Sequence, residues 1–203
     1  MDSKSRYLTS LGEATITSLL LLAIILVVYI IPWPVASSTE TELTDLGAVE
    51  SHIKWFHQNV SEKKLNKALK HAPVVVEVAH KYDVDPILIA VQIDVESSWN
   101  SKANGAIGEE GLMQVHGIAR MGFDMSTPKG QIEAGVNHLV MWNEKCRGVL
   151  EWTLCGYHSG HCRSSKCRGK KRAKLWRKAR VRLNLPTLTS PFDVSKQVNG
   201  RIM

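Results

Sequence analysis

No charged residue occurs between positions 14 and 39 of this 203-residue chain, and Leu19 to Ile31 are apolar without a break. So long a charge-free run does not suit a solvated surface, and at the N-terminus it fits a buried core helix poorly. From Ile16 to Val35 it approaches the ~20 residues a membrane-crossing helix needs. A cleaved signal peptide is the competing reading, with Val35-Ala36-Ser37 as a small-residue site. Pro32 and Pro34 crowd that site, which favours an uncleaved signal anchor over 16–35. Lys4 and Arg6 precede the span, whereas Glu40, Glu42, Asp45 and Glu50 follow it with no base before Lys54. That asymmetry predicts a cytoplasmic N-terminus over residues 1–15 and export of everything after residue 36.

A second absence lies near the other end. From Arg163 to Arg182, eleven of twenty residues are basic and none is acidic. Residues 1–162 carry 13 Lys or Arg against 18 Asp or Glu, and residues 163–203 carry 13 against one. The bland reading of the basic run is a closing helix with a solvated face, carrying Leu175, Trp176, Ala179 and Leu183 along its other side. The functional reading is attraction to anionic wall polymers or acidic lipid head groups through residues 163–182. Export argues against nucleic acid as a partner. Oligomeric state leaves no trace in the sequence.

Cys-x-x-Cys pairs are missing too. Cys146, Cys155, Cys162 and Cys167 fall within 22 residues, an even set that in an exported domain reads as two disulfides with three pairings open. Zinc, with His158 and His161 nearby, is the alternative; the spacing does not support it, and no metal or cofactor is expected. There are no internal repeats.

The informative content is three short blocks in a fixed order. They are Glu96-Ser97-Ser98-Trp99-Asn100, Gly111-Leu112-Met113-Gln114 and Gly156-Tyr157-His158-Ser159-Gly160. Between the last two, Ser126-Thr127-Pro128 places a cap and a helix-starting proline before Gln131–Leu139. Over about residues 82–162 the chain resembles the lytic transglycosylase domain of the goose-type lysozyme superfamily, whose pattern reads roughly Glu-Ser-x-aromatic-Asn, Gly-Leu-Met-Gln and Ala-Tyr-Asn-Ala-Gly. The resemblance implies a mainly α, lysozyme-like domain acting on the glycan strands of peptidoglycan. With the anchor, it implies an enzyme on the outer side of a bacterial membrane, of the kind used in wall turnover, secretion or phage lysis. The domain is expected over 61–184, after a polar tether at 37–60 and before a disordered or loosely docked tail at 185–203.

Local signals place the elements. Residues 46–60 are read as a short helix within the tether. Pro73 splits 61–82 into two helices or kinks one. Asp85-Pro86 reads as an N-cap and first helical residue. Val91 to Glu96 alternate as a strand would, and only the resemblance decides for a helix.

Delivering a proton to a glycosidic oxygen near neutral pH calls for a carboxyl held above the ~4.3 of free Glu. Glu96 closes an apolar helix with Trp99 three residues on, surroundings that favour the neutral acid. Most glycosidases use a second carboxylate, and no second acid sits in a comparable block. By resemblance Glu96 suffices: it protonates the leaving oxygen while the substrate's N-acetyl group assists. It then takes the proton of the muramic acid C6 hydroxyl, which closes a 1,6-anhydro ring. Asp94, Glu109, Glu110 and Asp124 are the other carboxylates to weigh. If Glu109 or Glu110 faces Glu96, a water-using lysozyme reaction follows; a non-catalytic wall-binding module is the alternative of another class. The expected substrate contacts are Ser97, Met113 and Gln114 beside the acid, then Tyr157 and His158. His158 stands where the family usually has Asn and brings a titratable ring.

Overall fold

The computed structural model of the chain describes residues 44–163 and 167–195. The expected flank at 1–15 and span at 16–35 lie outside the described residues. Among those described, no helix is long and apolar enough to cross a membrane. The described residues form helices α1 (Asp45–Phe56), α2 (Glu62–Leu69), α3 (Ala72–Tyr82), α4 (Pro86–Glu96), α5 (Pro128–Lys145), α6 (Leu150–Ser159) and α7 (Gly169–Arg182). A 3-10 turn spans Gly117–Arg120, and no strand is present among them, only isolated bridges.

The helical domain begins well before residue 61. Thr44 caps α1 by accepting from the Gly47 N–H at 3.2 Å. Ala48, Val49, His52 and Ile53 are buried, one helical face packed on α3 and α4. The expected tether therefore cannot extend past residue 44, because Val49 and Ile53, one turn apart, belong to the core. Pro73 sits in the first turn of α3, so the run from 61 to 82 is two helices, the position where its missing N–H costs nothing.

α4 is the central element. The Asp85 carboxylate accepts from the Ile87 N–H at 3.0 Å, and Pro86 opens the helix. Every residue from Pro86 to Asp94 is buried. A helix buried all round shows no amphipathic period, which explains why its sequence alternates like a strand. α7 lies against it, and the two ends of that contact are polar. The Trp176 indole N–H and the Arg180 guanidinium both donate to Asp85 Oδ2, at 2.7 and 2.6 Å. The buried side of α7 is Gly169, Arg172, Ala173, Trp176 and Ala179, whereas Leu175, expected inward, is exposed.

Beyond α7 the chain turns back and docks. The Asp85 N–H donates to the Pro191 carbonyl at 2.7 Å, and Phe192 is buried and bridges Val84. The Ser195 hydroxyl donates to Asp83 at 2.8 Å. The boundary expected at 184 thus gives way to a folded return as far as residue 195. Two disulfides, Cys146–Cys162 and Cys155–Cys167, join the end of α5 and the middle of α6 to the segment leading into α7. They resolve the three open pairings and leave no cysteine thiolate for zinc among the four.

Candidate active site

α4 stops at Glu96 because the next residues take conformations a helix cannot use. Ser98 and Trp99 have φ of 49° and 65°, the left-handed region that bulky residues rarely occupy. Such a turn persists only where its surroundings hold it. Here the Trp99 indole N–H donates to Asp94 Oδ1 at 2.6 Å, and the ring lies buried and stacked on His71 with centroids 6.5 Å apart. The other Asp94 oxygen accepts from His52 Nε2 at 2.7 Å. His52 Nδ1 faces an Arg182 N–H at 2.7 Å, so the ring is neutral with its proton on Nε2. The tight turn after Glu96 is therefore held from below by Asp94 and its two donors.

Glu96 points elsewhere. Its side chain is 13% exposed and its Oε1 accepts from Arg172 Nη1. Arg172 is 4% exposed and also donates to Gln92 Oε1 at 3.0 Å, one turn before Glu96 on the same face of α4. The other arm of the guanidinium lies 3.4 Å from His158 Nδ1. His158 is exposed at the end of α6. One buried cation thus joins α4, α6 and α7 around the carboxylate.

The middle block is a hub. Gly111 (φ 76°) and Gln114 (φ 50°) make a tight turn, and a Cβ at Gly111 would strike the Gln131 side chain. The Ser97 hydroxyl donates to the Leu112 carbonyl at 2.7 Å, and the Tyr157 hydroxyl to the next carbonyl, Met113, at 2.6 Å. The first and third blocks are thereby fastened to adjacent carbonyls of the second. Gln114 uses its amide nitrogen inside the turn, donating to Ala103 and Gly111 carbonyls at 3.1 and 2.9 Å. Gln131 of α5 accepts from the Leu112 N–H at 3.0 Å and donates to the Ser101 and Met125 carbonyls.

These positions revise the expected contacts. Met113 is fully buried against Gly135, where a Cβ would strike its sulfur, so its side chain is core and presents no wall to a sugar. Tyr157 is buried with its hydroxyl given to the main chain rather than to the acid or a ligand. Burial, and then the negative charge of Glu96, push its phenol well above its ordinary range, with Arg172 offsetting in part. It remains a protonated donor. His138 packs edge-on to Tyr157, with centroids 5.1 Å apart, and accepts from the Trp142 indole. Burial and the charge of Lys145 hold it below the usual imidazole range. Ser97, Gln114 and His158 are only partly enclosed or exposed. A cavity of about 270 Å³ lies beside the acid's block, lined by Lys64, Lys67, Ser97, Ser98, Trp99 and Asn100.

The other carboxylates have partners of their own. Glu109 folds back to accept from the Ile107 N–H at 3.1 Å, and Glu110 pairs with Arg120 at 2.5 Å. Asp124 accepts from the Ser126 hydroxyl and N–H, which hold it below the usual carboxylate range. Sequence reasoning missed Gln92, Gln131, His52 and Arg172. Gln92 left a signal, a lone amide inside a buried apolar run that demands a partner. Arg172 left none, since it is one base among eleven.

Residues 73–179 match the family described as the Transglycosylase SLT domain, just over half of the chain, and the chain belongs to that family. Its activity at family level is lytic transglycosylation of peptidoglycan. No solved structure matches the chain.

Proposed function

We propose that this chain cleaves the MurNAc–GlcNAc β-1,4 bond of peptidoglycan with formation of 1,6-anhydromuramic ends, Glu96 acting first as acid and then as base. One observation carries this reading. Glu96 is the carboxylate that closes α4 in the first block, 13% exposed and set against one buried arginine, while Asp94 has both oxygens taken by His52 and Trp99 and Glu109, Glu110 and Asp124 lie on loops outside that block. The first proton passes from the Glu96 carboxyl to the departing glycosidic oxygen as the C1–O bond breaks. The N-acetyl oxygen of the substrate covers C1 in the interval. The carboxylate then accepts the C6 hydroxyl proton as that oxygen bonds to C1, returning Glu96 to its starting state with no water consumed. Ser97, Gln114 and His158, on the margin of the same constellation, are the side chains best placed to meet the glycan.

The wider setting follows the same reading. Residues 16–35 anchor the chain in a bacterial cytoplasmic membrane, with the domain outside it and opening the wall locally, in a secretion or phage-lysis setting. α7 divides its bases: Arg172 and Arg180 turn inward, while Lys170, Lys171, Lys174 and Lys178 stand outward. That lysine face suits anionic wall polymer or lipid, with a salt-sensitive attraction. The deciding experiment is mass spectrometry of fragments released from purified peptidoglycan by the full-length chain. Muramic ends lighter by one water support the transglycosylase. Reducing ends mean a water-using muramidase, and no fragments at all mean a binding module.

A further inference from the structure

We propose that Arg172 is a positioning residue for the reaction: a built-in countercharge that stabilises the anion forming on Glu96 as its proton leaves. The inference rests on the proposed role of Glu96 and adds to it a partner from outside all three blocks, 76 residues further along the chain.

A guanidinium at 4% exposure needs a reason, because burying a charge is costly unless it is paired. Docking α7 is not a sufficient one. That helix is already held at its far end by Trp176 and Arg180 on Asp85, along its length by Ala173 and Ala179, and near its start by Cys155–Cys167. Arg172 instead sits behind the carboxylate, steadied by Gln92 on α4 and facing His158 on α6. It places one fixed positive charge at the oxygen that must change charge twice per turnover.

A cation there stabilises the negative charge that develops on the carboxyl as its proton moves to the glycosidic oxygen. Removing that charge takes away an interaction made with the ionised form alone, which a pH–rate profile of the variants reads as a displaced limb. The groups facing Glu96 and Arg172 are Gln92 on α4 and Tyr157 and His158 on α6. Of these, Tyr157 stays protonated and Gln92 carries no ionisable group, and the H158N variant takes the facing imidazole out of the comparison.

The test is the pH–rate profile of the full-length chain on purified peptidoglycan for wild type, R172Q and R172K, each with and without H158N. R172Q is expected to move the alkaline limb upward by about one pH unit or more and to lower the acidic plateau roughly tenfold. R172K, keeping the charge but not the fork, should leave the limb near its wild-type position and lower the plateau. Loss of the plateau with an unmoved limb in R172Q would mean a structural role only. A limb that moves equally in R172K, or a shift that vanishes with H158N, would also overturn the proposal. Should R172Q fail to fold, R172K alone decides, since an upward-moved limb in that variant contradicts retention of the countercharge. Failure of the Glu96 assignment itself is separable, because E96Q would then keep wild-type cleavage whatever Arg172 does.

Discussion

Asp94 and Glu96 are two residues apart on one helix, yet their surroundings have little in common. Asp94 is 7% exposed, and both oxygens are engaged by neutral donors, His52 from α1 and Trp99 from the turn below. Glu96 meets a cation from α7 through one oxygen and keeps part of its side chain in the open. A two-residue step along a helix turns the side chain through more than half a circle, enough to move a carboxyl from one set of neighbours to another. A carboxylate saturated by neutral donors serves as a structural tie. One with a single charged partner and part of its side chain exposed leaves an oxygen for a further contact.

Substitutions can break that contrast, the largest effect first. E96Q keeps an amide oxygen for Arg172, so the fold should survive while cleavage falls about 10²–10⁴-fold. The measurement is release of soluble muropeptides, with circular dichroism as the control; more than a tenth of wild-type rate would put the acid elsewhere. D94N should do the reverse. It sets an amide N–H against His52 and weakens the hold on Trp99, at a cost of about 1–3 kcal/mol read from the urea midpoint. Its cleavage per folded molecule should stay within about tenfold of wild type, and abolished cleavage at unchanged stability would erase the distinction between the two acids.

Y157F sharpens the same comparison from the α6 side. It leaves the Met113 carbonyl without its donor and should cost about 1 kcal/mol, with a loss of rate no larger than the loosened turn explains. A direct role of the hydroxyl on substrate would show as a far larger fall in rate than in stability. The smallest expected effect is on pH dependence. Burial holds His57, His71 and His138 below the ordinary imidazole range, with Asp94 partly opposing at His57. The unfolded chain then binds more protons than the folded one just below pH 6.5, so stability should fall as pH drops through that region. Thermal midpoints at pH 7.5 and pH 5 provide the check, and a flat profile would contradict the burial of all three rings.

Much of this was legible because it is local. The Asp85-Pro86 and Thr127-Pro128 starts cap the helices they announce, since a cap and its helix are encoded within four residues. Glu96 stood out from its block for the same reason. Residues that act at long range left weaker marks. Arg172 reaches Glu96 across 76 positions, and Phe192 returns to Val84, with nothing in their own neighbourhoods to say so. Met113 was misplaced because a Met in a motif suits a sugar face and a core equally; only Gly135, opposite it, decides for the core. The buried arginines were hidden by the lysines among them.

The two disulfides interlace, one closing from Cys146 to Cys162 and the other from Cys155 to Cys167. Cys167 stands two residues before α7 begins and five before Arg172. Where thiols are kept reduced, the start of that helix loses its covalent tie to α6, while Trp176 and Arg180 on Asp85 and Gln92 on Arg172 remain. The segment bearing the buried arginine is thus stitched to the two helices before it by bonds that a reductant cuts without touching any carboxylate.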